Sequence, residues 1–90
     1  IFANALIANC AQTDMVIDLN YDDKSNPPIY EDFWKLTLVN YNAGPGCLGL
    51  AVNKTSSLGE LLTWENVSGH LTSVCKPAYE YVSDISTITP

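Results

Sequence analysis

Tyr41 and Asn42 stand side by side at the end of an apolar run, followed closely by Gly44, Pro45 and Gly46. A phenol ring and hydroxyl next to a carboxamide suit a sugar that carries N-acetyl groups. The ring covers apolar C–H faces, and the amide both donates and accepts hydrogen bonds. The same residues also have an architectural reading: Tyr41 in the core, Asn42 capping a helix end, and Gly44, Pro45 and Gly46 shaping a turn. Cleaving a glycosidic bond needs, in addition, a carboxyl group kept protonated by an apolar pocket. The glutamates Glu31, Glu60, Glu65 and Glu80 nominate no such group. Glu31 falls where a helix start favours negative charge, and Glu65 and Glu80 read as solvated. His70, the one histidine, has no Ser or Cys pattern beside it and reads as a cation at a helix C-terminus rather than a catalytic base.

Three cysteines, Cys10, Cys47 and Cys75, leave one over however they pair. No Cys-x-x-Cys spacing occurs, and one histidine does not complete a ligand set, so no metal is expected. Two states stay open on the residues alone. One is buried thiols in a reducing compartment; the other is a single disulfide plus a spare thiol in an oxidising one.

The elements that must position these groups are helical. Over residues 1–20 the apolar side chains Phe2, Leu6, Ile7 and Cys10 fit a helical stripe, with Met15, Val16, Ile17 and Leu19 beyond. Thr13 or Asp14 is placed to cap a restart of that helix. Residues 21–28, with Asp22-Asp23, Ser25-Asn26 and Pro27-Pro28, read as a loop. Tyr30, Phe33, Trp34, Leu38 and Tyr41 then recur at helical spacing, widened by Leu36 and Val39, and predict a helix over 29–43 buried on most sides. Gly44 and Pro45 end it, with Gly44 in the left-handed cap conformation. A further helix starts near Cys47, Thr63 caps a two-turn helix from Trp64, and Pro77 opens a last one bearing Tyr81, Val82 and Ile85. Residues 86–90 read as a frayed tail. No strand pattern survives, so the expected class is all-α.

Composition narrows the function classes. Four Lys+Arg against ten Asp+Glu give a formal charge of −6, which supplies no basic patch for nucleic acid or for an anionic lipid surface. Hydrophobic residues at 47% exclude a disordered acidic tail, and no apolar run reaches the length of a membrane span. The apolar opening has no basic residue before Lys24, so it is not a secretory signal and reads as a start inside a longer protein.

The run Tyr41-Asn42-Ala43-Gly44-Pro45-Gly46 carries a resemblance. It is similar to the Tyr-Asn-Ala-Gly-Pro-Gly signature of the soluble lytic transglycosylases, relatives of goose-type lysozyme. Leu62-Thr63-Trp64-Glu65-Asn66-Val67 and Tyr81-Val82 follow in the family's order, so the likeness spans residues 30–85. It implies a lysozyme-like helical domain in a secreted or envelope protein of bacteria, with peptidoglycan or a chitooligosaccharide as partner and no cofactor. The reaction implied is cleavage of the β-1,4 MurNAc–GlcNAc linkage to a 1,6-anhydro product, with one carboxyl acting first as acid and then as base. The family's acid lies in a Glu-Ser motif followed by Gly-Leu-Met-Gln, and neither occurs in these residues. Residues 1–90 are therefore expected to be the C-terminal half of the domain, with no catalytic residue, partnered by the N-terminal half that holds the acid.

On this resemblance Tyr41, Asn42 and Tyr81 contact the sugar or orient the acid. The chain departs from the family at Pro77-Ala78, where Glu-Thr is usual, which makes Tyr79 the alternative to Tyr81. The family fold packs its last helix near the turn, implying a Cys47–Cys75 disulfide, with Cys10 unpaired or bonded to the missing half. The alternatives, from other classes, are a small disulfide-stapled helical interaction module and a glycan-binding pseudoenzyme.

Overall fold

A computed structural model describes residues 2–88, with side chains described over 7–85. Its elements are α1 (Phe2–Asn20), α2 (Tyr30–Ala43), α3 (Pro45–Ser57), α4 (Trp64–Ser68), a 3₁₀ turn (Ser73–Cys75) and α5 (Lys76–Ile88). No strand occurs among the described residues, and the class is all-α. Nor, among those residues, is any helix long and apolar enough to cross a membrane.

Helix α1 runs unbroken through Thr13 and Asp14, so no restart is capped there. Thr13 is instead fully buried, facing inward with Val16. Ile7, Met15 and Leu19, which belong to the apolar pattern of this helix, are mostly exposed. Their spacing of eight and four residues puts them in one row along the helix. The side chains of Phe2 and Leu6 lie outside the described residues.

Helix α2 holds the centre. Leu36, Thr37, Leu38, Val39 and Asn40 are five consecutive buried residues, so neighbours cover this stretch on every side. Helices α1, α3 and α5 supply that cover, with α4 touching as well. At its start the pattern overreached: Tyr30 is exposed, and its hydroxyl accepts a hydrogen bond from the Trp34 indole N–H at 2.7 Å. The core continues through Leu48, Ala51 and Val52 of α3, Val67 of α4, and Ala78 and Val82 of α5. Gly49 faces α1 where the two helices meet: a Cβ there would lie in ordinary contact, 3.4 Å from Asn20 Nδ2 and 3.8 Å from Val16 Cγ1.

The turn between α2 and α3 is tighter than expected. Gly44 alone joins them, with φ 91° and ψ 169°. This is not the left-handed helical cap but a region essentially restricted to glycine. Its N–H closes the end of α2 on the Asn40 carbonyl at 2.9 Å. Pro45 is already the first residue of α3, where its missing N–H costs nothing. Gly46 belongs to the first turn of α3 and does not share in the turn geometry.

Two further expectations are corrected. Helix α4 is a single turn of five residues rather than two turns, although Thr63 caps it as expected. Helix α5 starts one residue before Pro77 and continues to Ile88, so residues 86–88 are helical, not frayed. Thr89 and Pro90 lie outside the described residues.

Candidate functional site

Tyr41 is the last-turn residue that α2 presents at the surface. It follows five buried positions and keeps 39% of its surface exposed, so it is not a core anchor. Asn42, beside it, is also exposed. The cap of α2 is made by the Gly44 backbone, which leaves the Asn42 carboxamide out of that role.

Helix α5 brings Tyr81 to the same place. The Tyr41 and Tyr81 rings lie 6.4 Å apart with 31° between their planes, inside the range of favourable aromatic pairs. Tyr81 is partly buried against the core and Tyr41 is its outer partner. Two of the three expected contact residues thus converge, and the third is the sequence neighbour of one of them.

The position of α5 is fixed from its first turn. Cys47 and Cys75 form a disulfide with 5.9 Å between their Cα atoms, tying the start of α3 to the start of α5. Ala78 and Val82, at one and two turns beyond Cys75, are buried. The covalent tie and this buried line set the rotation of the helix and so the side on which Tyr81 stands. Cys10 is a free, half-buried thiol on α1.

Behind the site, α1 and α2 are joined by amides. The Asn40 carboxamide donates to Asn9 Oδ1 at 2.7 Å and to Gln12 Oε1 at 2.8 Å. Among the described residues, Asn40 Oδ1 and Thr13 Oγ1 are buried without a hydrogen-bond partner. Asn40 immediately precedes Tyr41, so this link fixes α1 against the end of α2 that carries the site. Sequence reasoning missed it, because a polar residue within an apolar stripe gives no sign of pointing inward.

The carboxylates are placed elsewhere. Glu31, Glu65 and Glu80 are exposed, as expected. Glu60 meets His70 instead, with 2.6 Å between Oε1 and Nε2. This pair, linking the segment before α4 to the one after it, was not anticipated; His70 had been assigned only to the helix end. The Glu60 carbonyl also accepts from the buried Tyr21 hydroxyl at 2.6 Å. Burial, reinforced by the negative charge of Asp23, raises the Tyr21 phenol above its ordinary pKa. Asp23 is held below the usual carboxylate range by hydrogen bonds from Ser25, then Asn26.

A cavity of about 160 Å³ opens near these residues, lined by Asp14, Ile17, Tyr21, Pro28, Phe33 and Leu62 among others. It adjoins the first turns of α2 and contains neither Tyr41, Asn42 nor Tyr81. The cavity and the aromatic site are therefore separate features. Among the described residues no group of three or more His, Cys, Asp or Glu is arranged to hold a metal ion.

The arrangement offers an exposed tyrosine, a second ring behind it, a free-standing carboxamide and a narrow glycine turn beside them. It can stack on a sugar face and hydrogen-bond an amide substituent. Scans against known protein families, characterised proteins and solved structures return no match for this chain.

Proposed function

We propose that these residues form the glycan-contacting wall of a lysozyme-like lytic transglycosylase domain acting on peptidoglycan in the bacterial envelope. The observation that supports this reading best is the convergence of Tyr41 and Tyr81, 6.4 Å apart, beside the Gly44 turn. Tyr41 and Tyr81 are forty residues apart, on α2 and α5, and a packed fold had no need to join them at the surface.

In this reading Tyr41 covers the apolar face of a pyranose ring, and the Asn42 carboxamide bonds the N-acetyl group or hydroxyls along its edge. Tyr81 backs Tyr41 and orients its hydroxyl. The acid comes from a partner segment that carries the glutamate. It protonates the glycosidic oxygen, the bond from that oxygen to the anomeric carbon breaks, and the sugar's own 6-hydroxyl closes on that carbon while the carboxylate takes back its proton, giving the 1,6-anhydro end. The exposed row Ile7, Met15 and Leu19 on α1 offers an apolar face against which such a segment packs.

Titration with chitotetraose, followed by the backbone amide resonances of Tyr41 and Asn42, tests the binding half of the proposal. Saturable shifts at both positions, abolished in Tyr41→Ala, are expected. No shift at saturating sugar overturns it and leaves the helical interaction module, which the exposed row on α1 also favours. Turbidity of a cell-wall suspension tests the missing acid: the ninety residues alone should not clear it.

A further inference from the structure

A second aromatic pair stands on the other flank of α5. The Trp64 and Tyr79 rings lie 5.7 Å apart with 13° between their planes, an offset stack. Tyr79 and Tyr81 are two residues apart and so about 200° apart around the helix axis. The buried line of Ala78 and Val82 runs between them. Tyr81 therefore leans to α2 and Tyr41, while Tyr79 leans the opposite way, to α4 and Trp64.

This pair is built to stay flat and open. Trp64 is half-buried and packs against the core. It is the first residue of α4, held by Thr63, whose hydroxyl oxygen accepts the Asn66 N–H at 3.1 Å. Tyr79 stacks on it and keeps 41% of its surface exposed. Cys75, one turn before Tyr79, is bonded to Cys47, so the backbone beneath the ring is fixed as well. An aromatic surface held this way loses little freedom when a ligand settles on it. The helix neighbours Lys76 and Glu80 are exposed and polar. A flat apolar patch with a hydrogen-bonding rim matches a pyranose, which has an apolar C–H face and hydroxyls around its edge.

We propose that Trp64 and Tyr79 form a second saccharide platform, independent of Tyr41, that takes a pyranose ring on the outer face of Tyr79. It rests on the glycan reading above for its choice of ligand. The two sites face different sides of α5, so they engage separate glycan segments, and a polymer held at both gains avidity that a short oligomer does not.

The test is ¹⁹F NMR of the full chain carrying 5-fluorotryptophan, which reports Trp34 and Trp64 separately, titrated with chitotetraose. The Trp64 signal should shift saturably and the Trp34 signal should stay in place. Tyr79→Ala should weaken the Trp64 response about tenfold, the size expected for one aromatic contact, while the Tyr41 and Asn42 amide shifts persist. Tyr79→Phe, which keeps the stack, should retain it. A static Trp64 signal while Tyr41 and Asn42 titrate overturns the platform and leaves the first site standing. A Trp64 response without shifts at Tyr41 and Asn42 keeps the platform and removes the first site. Silence at all three positions overturns both.

Discussion

Removing the Cys47–Cys75 disulfide tests the architecture most directly, because its contribution follows from the loop it closes. The two cysteines are 28 residues apart, and the bond encloses most of α3 and all of α4. Chain entropy for a closed loop of that length gives about 12 cal/mol/K, or about 3.5 kcal/mol at room temperature. Ninety residues unfold with an entropy of about 0.19 kcal/mol/K, so the melting temperature should fall by about 18 °C. Cys75 is buried, so a serine there would add an unpaired hydroxyl; Cys75→Ala paired with Cys47→Ser avoids that penalty. The assay is thermal unfolding by far-ultraviolet circular dichroism, with a phosphine-reduced parent as the second arm. Both arms should agree, since each removes the same constraint. A drop below about 5 °C in both, with the bond confirmed by mass in the parent, would refute the reasoning. It would mean that the enclosed segment stays structured in the denatured chain and that the bond restricts almost nothing.

Gly44→Ala should cost about 1–3 kcal/mol in chemical denaturation from backbone strain alone, because its φ is 91° and no atom lies within 4 Å of the added Cβ. Gly46→Ala, helical and equally uncrowded, should change stability by less than about 1 kcal/mol and in the stabilising direction. Asn40→Ala should lower stability by about 1–2 kcal/mol by cutting both amide links to α1, and it should broaden the Tyr41 resonance. Tyr21 has its pKa raised in the fold, so its contribution is whole below the unfolded value of 10.0 and fades as pH climbs through the folded one. Stability measured across alkaline pH should therefore decline less steeply in Tyr21→Phe. Asp23 is shifted the other way: its contribution is present above the unfolded pKa and is lost as pH falls through the lowered one. Asp23→Asn should remove that part of the acid sensitivity and leave neutral-pH folding in place.

Helix α2 and the Gly44 break were legible because several signals agreed there: apolar spacing, acidic residues at the start, and glycine followed by proline at the end. Where one signal stood alone, reading stopped short. Apolar residues surround α1, and periodicity cannot say which side a neighbour covers, so the pattern did not separate the exposed Met15 and Leu19 from the buried Val16. Thr13 was read as a cap because threonine favours helix ends, whereas burial between packed helices decided its place. Of the candidate site, Tyr41 and Asn42 stood out as a pair of chemical types, and Tyr81 entered only through the family likeness. The Glu60–His70 contact had no signature at all: the two lie ten positions apart on either side of the short α4, and only the path of the chain around that turn brings them together. Tyr79 was named as a substitute for Tyr81, and the helix rotation shows that the two tyrosines serve different neighbours.

That rotation explains why one short helix matters to both aromatic pairs. The disulfide holds the first turn of α5, and Val82, fully buried two turns on, holds its middle. Between these points neither tyrosine can swing toward its ring partner without moving the other away, because they sit on opposite flanks of the same buried line. A turn of α5 by one residue's angle, about 100°, would bury one ring and expose the inward alanine instead. The covalent tie at Cys75 thus does more than add stability. It selects, among the rotations that a small apolar face tolerates, the one that leaves Tyr79 open on one side and sets Tyr81 behind Tyr41 on the other. Van der Waals packing of Ala78 and Val82 alone is a weak selector, since alanine and valine leave little shape to interlock. This is the physical reason for placing a disulfide at the start of the helix rather than at its far end: the constraint acts where it fixes the angle for every residue that follows.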